Sequence, residues 1–454
     1  MNKAATPKRI MTVVLIVTLV GGSTGLADNP IVQTIYTADP APMVYDGVCY
    51  VYPTHDEDVI VRNFFTMNDW RCYSTTDMVN WTDLGSPLSY KDFSWARGDA
   101  WAGQCIHRNG KFYFYVPINQ KNGGNAIGVA VSDRPAGPFK DALDKPLLRG
   151  FGYIDPAVFI DEDGQAYLYW GNPKLYYIKL NEDMISSSGQ INEVPLTTES
   201  FGVRSKKDRA TRYEEGPWLY KRKDLYYLVF AAGPISEHIA YATGPTATGP
   251  WTFRNTIMPT QGKSFTNHPG LVDYKGKTYF FYHNGALPDG GGFHRSVCVE
   301  QFELNKDGTI PTFNMTKEGP QPVGTLNPYQ RTEAETITWE SGVKTAKSND
   351  VGIYVTDISD GDYIKVREVD FGDKAVSKYL ASVAGLADGG EIELRLDGLS
   401  GELIGTLKVK PTGASDKWET QSCTVNRIKG VHDLYLKFTG GNGQLLNFDW
   451  WKFE

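Results

Sequence analysis

One short pattern occurs five times in the first two thirds of the sequence. Each copy is a polar turn followed by a strand rich in aromatic and β-branched residues. The copies begin at residues 46, 109, 163, 223 and 275, 52 to 63 residues apart, and read DGVCYVYPT, NGKFYFYVP, DGQAYLYWG, KDLYYLVFA and KGKTYFFYH. Such a repeat buries its apolar face only by stacking against its neighbours, so it restricts the fold strongly.

The sequence around each copy supplies further strands. A short apolar strand precedes each turn (APMVY, GQCIH, PAVFI, PWLYK and PGLVD), and more strand-like sequence follows. Four short strands in each of five repeats predict an all-β, five-bladed β-propeller over residues 28–322. A pair of β-sandwiches is the alternative, but sandwiches do not require five similar hairpins.

The N-terminal residues have the pattern of a secretory signal peptide. Lys3, Lys8 and Arg9 precede an apolar run over 11–20, and small residues precede Ala27. We therefore predict a signal peptide over 1–27 and export to the periplasm or the extracellular space. A membrane anchor would need a longer apolar stretch, and no other segment is long enough to span a bilayer.

Composition restricts the partners. The 454 residues carry a net charge of −7, and no basic cluster follows the N-terminus, which argues against nucleic acid. Aromatic residues reach 13%, a usage that favours β structure and flat surfaces for sugars. The five cysteines show no metal-site spacing, and we expect most of them to be buried. We expect a monomer.

Five residues occupy equivalent positions before the first strand of each repeat. In a propeller these strand starts converge at one end of the central channel, so their side chains should share one cavity. Three of the five are acids, and crowded carboxylates raise the pKa of some members. Metal binding and paired acid/base chemistry are the two uses of such a group. The five residues are Asp39, Trp101, Asp155, Glu215 and His268.

Two carboxyl groups on opposite sides of a sugar can hydrolyse a glycosidic bond. One protonates the leaving oxygen, and the other activates a water molecule or attacks directly. A third carboxylate near the acid would keep that acid protonated at neutral pH. Trp101 would then provide an apolar wall for one sugar face.

Three motifs resemble glycoside hydrolase family 43. They are ADP near residue 39, YIDPAVFIDEDGQAYLYWG in the third repeat and YEEGPWLYKR in the fourth. The resemblance implies a five-bladed propeller and inverting hydrolysis. By this resemblance Asp39 is the general base, Glu215 is the general acid, and Asp155 raises the pKa of Glu215 and orients it. Glu214 should point the other way along its strand and has no assigned role.

The same resemblance suggests residues around the sugar. His268 matches the family's channel histidine, which lies beside a bound calcium ion or a water cluster; a hydrogen-bonded core histidine is the alternative. Arg295 matches an arginine of the sugar pocket, with a surface salt bridge as the alternative. Trp95 and Phe151 are, with Trp101, candidate pocket walls, and plain packing is the alternative for these two.

Beyond a Pro- and Asn-containing linker over 323–331, residues 332–454 alternate as in an antiparallel β-sandwich. The stretches EAET, GDYIKVREVDFG and NFDWWKF resemble the family 6 carbohydrate-binding modules. The resemblance implies a structural Ca²⁺ held by Glu333, Glu335 and Asp449, oxygen ligands of the kind that Ca²⁺ prefers.

The resemblance also implies a sugar cleft in this module at Tyr354 and Asn447. The module departs from its family where two tryptophans are usual, since only Trp418 is present and Ser415 replaces the other. The module would therefore bind sugar weakly, bind it at another surface, or only brace the propeller.

Taken together, these features predict an exo-acting, inverting hydrolase that removes α-L-arabinofuranosyl residues from arabinoxylan or a related plant cell-wall polysaccharide. The alternatives are a β-xylosidase or another arabinan- or galactan-active hydrolase of the same fold. A non-catalytic sugar-binding propeller is a second alternative, although binding alone does not require an acid with a raised pKa.

Overall fold

The structure of the chain is a computed structural model that describes residues 28–373, 376–386 and 389–454. The signal peptide predicted for residues 1–27 lies outside the described residues. Strands dominate the described chain. The two short helices are the 3₁₀ turn Tyr90–Asp92 and the α-helix Thr198–Phe201.

Residues 36–302 form five antiparallel sheets in sequence order. The first contains Tyr36–Tyr45, Val48–Asp56, Asp69–Trp70, Tyr73–Thr75, Trp81–Asp83 and Leu88–Ser89. The second contains Ala96–Gly98, Gln104–Arg108, Lys111–Gln120, Asn125–Ser132, Lys140–Asp141 and Leu148–Arg149. The third contains Ala157–Ile160, Ala166–Trp170, Tyr176–Leu180 and Ser187–Glu193. The fourth contains Tyr213–Arg222, Leu225–Ala232, His238–Gly244 and Thr252–Met258, and the fifth Gly270–Tyr274, Lys277–Asn284 and Ser296–Phe302.

The first long strands of the five sheets form a closed circle. The strand Tyr36–Tyr45 contacts Gln104–Arg108, each later one contacts the next, and Gly270–Tyr274 returns to Tyr36–Tyr45. This arrangement confirms the predicted five-bladed propeller. The turns between the first two strands of each blade also follow the sequence prediction. Asp46–Gly47, Asn109–Gly110 and Lys275–Gly276 all have positive φ at both positions, as type I′ hairpins require.

The fifth blade has three strands, and the start of the described chain completes it. The backbone N–H groups of Ile31 and Thr37 donate to the carbonyls of Val297 and Arg295, each at 2.9 Å. The Asn29 side chain adds a bond to the carbonyl of Val299 at 3.0 Å. The N-terminal segment therefore closes the ring against the last blade.

Residues 332–453 form a two-sheet β-sandwich, as predicted. One sheet contains Thr332–Glu333, Lys344–Ser348, Gly352–Ile358, Lys378–Gly385, Glu419–Thr424 and Leu446–Phe453. The other contains Trp339–Ser341, Tyr363–Asp370, Gly390–Leu396, Glu402–Val409 and Val431–Thr439. The inner faces bury a continuous apolar core that includes Val366, Leu436, Phe448 and Trp451.

A short strand of the sandwich region extends the propeller. Thr336–Ile337 pairs with Trp81–Asp83 at the outer edge of the first blade. Beside it, buried Asn80 donates to the carbonyl of Arg367 and accepts from its N–H, both at 2.9 Å. The two parts are thus joined by backbone pairing as well as by side chains.

Four of the five cysteines are buried in the described chain, and Cys423 is half-buried; all five are free thiols. Within residues 28–373, 376–386 and 389–454, no helix has both the length and the apolar character that a membrane crossing requires.

Candidate active site

The five residues predicted near the starts of the innermost strands line one cavity. They share its wall with Arg295, a sixth residue singled out from the sequence. The cavity volume is about 240 Å³, roughly the liquid volume of eight water molecules, which is enough for one small sugar. The five residues are Asp39, Trp101, Asp155, Glu215 and His268.

Irregular backbone turns the three acids into this cavity. Asp39 and Asp155 have left-handed φ values of 50° and 54°, a conformation that aspartate tolerates better than most residues. The strand Tyr36–Tyr45 has a register shift after Ala38, and Tyr213–Arg222 has shifts on both sides of Glu215. Such bulges redirect side chains at the end of a strand.

Asp39 is held as an ionised carboxylate. Its Oδ1 lies 3.1 Å from Nη1 of Arg295, and its Oδ2 accepts from the Thr54 hydroxyl at 3.0 Å. Burial alone would raise the pKa of Asp39, but the nearby charge of Arg295, with a smaller contribution from the hydrogen bond of Thr54, outweighs burial and lowers that pKa. Asp39 is therefore a base at neutral pH.

A buried histidine that the sequence analysis missed fixes the backbone of Asp39. Nδ1 of His283 accepts from the Asp39 N–H at 3.1 Å, and its Nε2 lies 2.9 Å from the Thr266 carbonyl. Because a carbonyl only accepts, Nε2 carries the proton and Nδ1 keeps its lone pair. Burial and the charge of Arg295 lower the pKa of His283 to about 3, so the ring is neutral.

Glu215 is the acid of opposite character. Burial is the largest cause that raises its pKa, and the charges of Asp39 and Glu214 add to it. A hydrogen bond of 2.6 Å from Asn172 to Oε2 opposes the shift, and the resulting pKa is about 7. A large fraction of Glu215 is therefore protonated at neutral pH, as a general acid requires.

Asp155, the third acid, interacts electrostatically with both Glu215 and Asp39. Its Oδ2 accepts from the N–H of Gly216 at 3.0 Å. Burial raises the pKa of Asp155 well above its usual range, and the charges of Glu215 and Asp39 raise it further. Coulomb repulsion is mutual, so Asp155 and Glu215 together retain a proton to higher pH than isolated acids.

The remaining wall is apolar on one side. Phe64, Phe65 and Met67 line it, with Phe64 in an edge contact to Trp101 at 6.2 Å between ring centroids. The indole Nε1 of Trp101 is buried and has no hydrogen-bond partner within the described chain. Phe64 and Phe65 escaped the sequence analysis because they lie in an irregular loop without periodicity.

Two expected wall residues lie elsewhere, which corrects that part of the sequence analysis. Trp95 packs on Phe93, and its indole N–H donates to Asp141 at 2.9 Å. The Phe151 side chain is 87% exposed in a surface turn. Neither lines the cavity, because the Trp95 ring fills a space within its blade and the Phe151 ring faces solvent.

In the sandwich, both residues of the predicted sugar cleft contact other residues of the module. Tyr354 makes an edge contact with Trp418 at 5.2 Å, and Asn447 is buried and donates to the carbonyl of Ser415 at 2.8 Å. Its Oδ1 accepts from Thr356 and Gln444. Asn447 therefore has hydrogen-bond partners within the protein on both ends of its amide.

Two of the predicted calcium ligands, Glu333 and Asp449, share a hydrogen-bonded arginine. Arg331 donates to Glu333 at 2.7 Å and to Asp449 at 3.3 Å. Oε2 of Glu335 is buried without a hydrogen-bond partner in the described residues, and burial followed by the charge of Glu333 raises the Glu335 pKa. An orphaned, buried carboxylate oxygen is a ligand of the kind that Ca²⁺ prefers, but the ligand atoms of Glu333, Glu335 and Asp449 do not all lie within 4.8 Å of one another.

Comparison with known proteins gives matches over both parts of the chain. Residues 27–310 match the model of glycosyl hydrolases family 43, and residues 333–454 match that of carbohydrate binding module family 6. An arabinoxylan arabinofuranohydrolase of Paenibacillus polymyxa is 33% identical, over 94% of this chain and 74% of that protein.

Two solved structures extend these matches. A family 43 arabinoxylan arabinofuranohydrolase from Bacillus subtilis, in complex with cellotetraose, superposes with a TM-score of 0.81 at 31% identity, over 95% of this chain and 99% of that one. A family 43 β-xylosidase/α-arabinofuranosidase from a compost metagenome, in a calcium-free form with xylotriose, has a TM-score of 0.58 at 32% identity, over 64% and 98%.

Proposed function

The chain belongs to family 43 of the glycosyl hydrolases, and from this membership we propose that it removes single α-L-arabinofuranosyl residues from arabinoxylan with inversion at the anomeric carbon. The observation that carries the proposal is the pair of acids with opposite pKa shifts at one small cavity, a lowered pKa for Asp39 and a raised pKa for Glu215. Inverting hydrolysis needs one ionised base and one protonated acid.

The residues take the following roles in this proposal. Asp39 accepts a proton from the attacking water, and Glu215 donates a proton to the leaving oxygen. Asp155 keeps Glu215 protonated and, through Gly216, supports its strand. Trp101 and Arg295 line the part of the cavity that holds the sugar, and Trp101 provides an apolar face for it. His268 is neutral because burial lowers its pKa, and it supplies a polar ring to the same cavity.

The proposal extends to the whole chain. A signal peptide over 1–27 directs export, a catalytic propeller spans 28–322, and a linker over 323–331 leads to the module over 332–454. The module braces the propeller through Thr336–Ile337, and its sugar cleft at Tyr354 and Asn447 is weak because Asn447 already bonds to Ser415. We propose a monomer acting on plant polysaccharide.

Product analysis tests the function. The protein is incubated with wheat arabinoxylan, and released sugars and their initial anomeric form are followed by proton NMR. Free arabinose that first appears as the β-anomer supports the proposal. Release of xylose alone would favour the β-xylosidase alternative. Arabinose that first appears as the α-anomer would reject inversion. If no sugar is released from any pentoside, the alternative of a non-catalytic sugar-binding propeller would be favoured.

The pH dependence of kcat/KM should reflect the two acids. Since Glu215 must be protonated and its pKa is about 7, activity should fall as pH rises through about 7. Since Asp39 must be ionised and its pKa is lowered, the acidic limb should lie below the ordinary aspartate value of about 3.9. Initial rates on an aryl arabinofuranoside between pH 3 and 9 check both limbs. An alkaline limb near pH 5 would contradict the assignment.

We also propose that Glu333, Glu335 and Asp449 bind a structural Ca²⁺, which would neutralise their charges and fasten the first strand of the module to the last. Chelation with EDTA should lower the melting temperature of the wild type by several degrees, since a ligand that binds only the folded state stabilises it. The Glu335→Gln variant should lose this response. An unchanged wild-type melting temperature would contradict the site, and unchanged activity after chelation would argue against a second ion beside His268.

A further inference from the structure

The general acid Glu215 receives one side-chain hydrogen bond. Nδ2 of Asn172 donates to its Oε2 at 2.6 Å. Asn172 follows the strand Ala166–Trp170, and its backbone N–H is fixed by the carbonyl of Gly152 at 3.1 Å. Asn172 lines the same cavity as Glu215. The contact therefore joins the third and fourth blades at the reacting centre.

A second residue sets which end of the Asn172 amide faces Glu215. Nη2 of Arg209 donates to Oδ1 of Asn172 at 3.3 Å. A guanidinium has donors only, so it requires an oxygen opposite it. If the amide were reversed, its NH₂ group would meet the arginine donors. Arg209 therefore turns the NH₂ group toward Glu215.

Arg209 is itself held in place by the neighbour of the general acid. Its Nη2 lies 2.9 Å from Oε1 of Glu214, whose side chain is 4% exposed. The other Glu214 oxygen pairs with Arg204, which also donates to both oxygens of Asp208 at 2.8 and 2.9 Å. Glu214 points away from the cavity, as its place on the strand predicts. Its two ion pairs hold Arg204 and Arg209 in place.

We propose that Arg209 and Asn172 are positioning residues that assign the catalytic proton of Glu215 to Oε1. This inference rests on the function proposed above. Oε2 accepts from an NH₂ donor, a role that the carbonyl oxygen of a neutral acid fills better than its hydroxyl oxygen, so the proton is favoured on Oε1. During hydrolysis the Oε1 proton moves to the glycosidic oxygen as its bond to the anomeric carbon breaks, and the electron pair stays on that oxygen. Water bonds to the carbon and gives its proton to Asp39.

Leaving-group dependence tests the proposal. Poor leaving groups need the proton of the acid, whereas good ones depart without it. Arg209→Met should therefore reduce kcat about tenfold on phenyl α-L-arabinofuranoside and less than about twofold on the 2,4-dinitrophenyl compound, a fraction of the 10²–10⁴ that general acids contribute. Arg209→Lys keeps a donor near Asn172 and should recover most of the loss.

Arg212→Met is the matched control. Arg212 directly precedes the strand Tyr213–Arg222, which carries Glu215. It donates to the Val203 carbonyl at 3.0 Å and covers the ring of Phe253, and it makes no hydrogen bond to Asn172. Its substitution should leave the ratio of the two rates as in the wild type. A ratio that changes equally in both variants would overturn the proposal, and so would an equal loss on both substrates in Arg209→Met.

A second variant covers the case in which Arg209→Met does not fold. Asn172→Asp keeps the size of the side chain but replaces the donor to Oε2 by an acceptor. It should show the same selective loss of kcat on the phenyl substrate. The alkaline limb of its pH profile should lie at higher pH than in the wild type, because an acceptor opposite Oε2 raises the pKa of Glu215. Losses independent of the leaving group would reject the proposal. A wild type that cleaves neither compound would instead reject the proposed function.

Discussion

Replacing Glu215 with Gln should reduce kcat/KM on arabinoxylan by about 10³, because the variant cannot protonate the leaving oxygen. Asp39→Asn should cause a loss of the same order, because the water then has no base. The two variants should differ on the 2,4-dinitrophenyl arabinofuranoside. Glu215→Gln should retain most of its activity there, whereas Asp39→Asn should remain inactive, since the attacking water needs a base whatever group leaves. Steady-state rates on both substrates give the comparison.

Asp161→Asn provides the matched control for these variants. Asp161 is an acid in the turn of the third blade, where it accepts from Lys221 and Tyr226 at 2.9 and 2.7 Å, away from the cavity. The activity of the Asp161→Asn variant should stay within about twofold of the wild-type activity. If Asp39→Asn retained activity on the activated substrate while Glu215→Gln lost it, the roles of base and acid would be reversed.

Replacing Arg295 with Met should be the most destabilising single change at the site. The guanidinium is 3% exposed and pairs with both oxygens of Asp56 at 2.9 Å and with Asp39 at 3.1 Å. Without it, two buried carboxylates lose their compensating charge, an effect that costs about 3–5 kcal/mol when a buried pair is broken. The urea midpoint of the propeller transition should fall accordingly.

The same substitution should move the acidic limb of activity. Arg295 is the main group that lowers the pKa of Asp39 against burial. In its absence that pKa rises, and the base is protonated, and so inactive, at a pH where the wild type still works. Rates between pH 3 and 6 measure the shift. A second change, Asp56→Asn, should restore part of the stability by removing one stranded charge, and a double variant no more stable than Arg295→Met would contradict this account.

The ring of acids could be predicted from the sequence because each member has a similar place relative to a repeated hairpin. Asp39, Asp155 and Glu215 are far apart in the chain, but the repeat sets their register, and the closed circle of blades brings them together. The hairpin turns could also be predicted, since residue pairs such as Asn109–Gly110 favour the positive φ angles that a type I′ turn needs.

Other parts of the site could not be predicted because they lie in irregular segments. Asn172 and Arg209 follow no repeat, and only the folded chain brings them to Glu215. Trp95 and Phe151 were expected as candidate pocket walls, but the type of a residue does not distinguish a ring that stacks on sugar from one that fills a gap or faces solvent. The pairing of Thr336–Ile337 with the first blade could not be predicted, because a strand of two residues is too short to show a periodic pattern.

The closure of the ring by its first residues affects how the protein can be synthesised. Asn29 bonds to Val299, 270 positions along the chain, so this segment is synthesised before every blade and has no partner until the fifth blade has been made. Contacts of such long range form slowly, and unpaired strand edges promote aggregation in the meantime. We expect that fusions placed directly before residue 28 will lower the yield of folded protein more than fusions at the C-terminus.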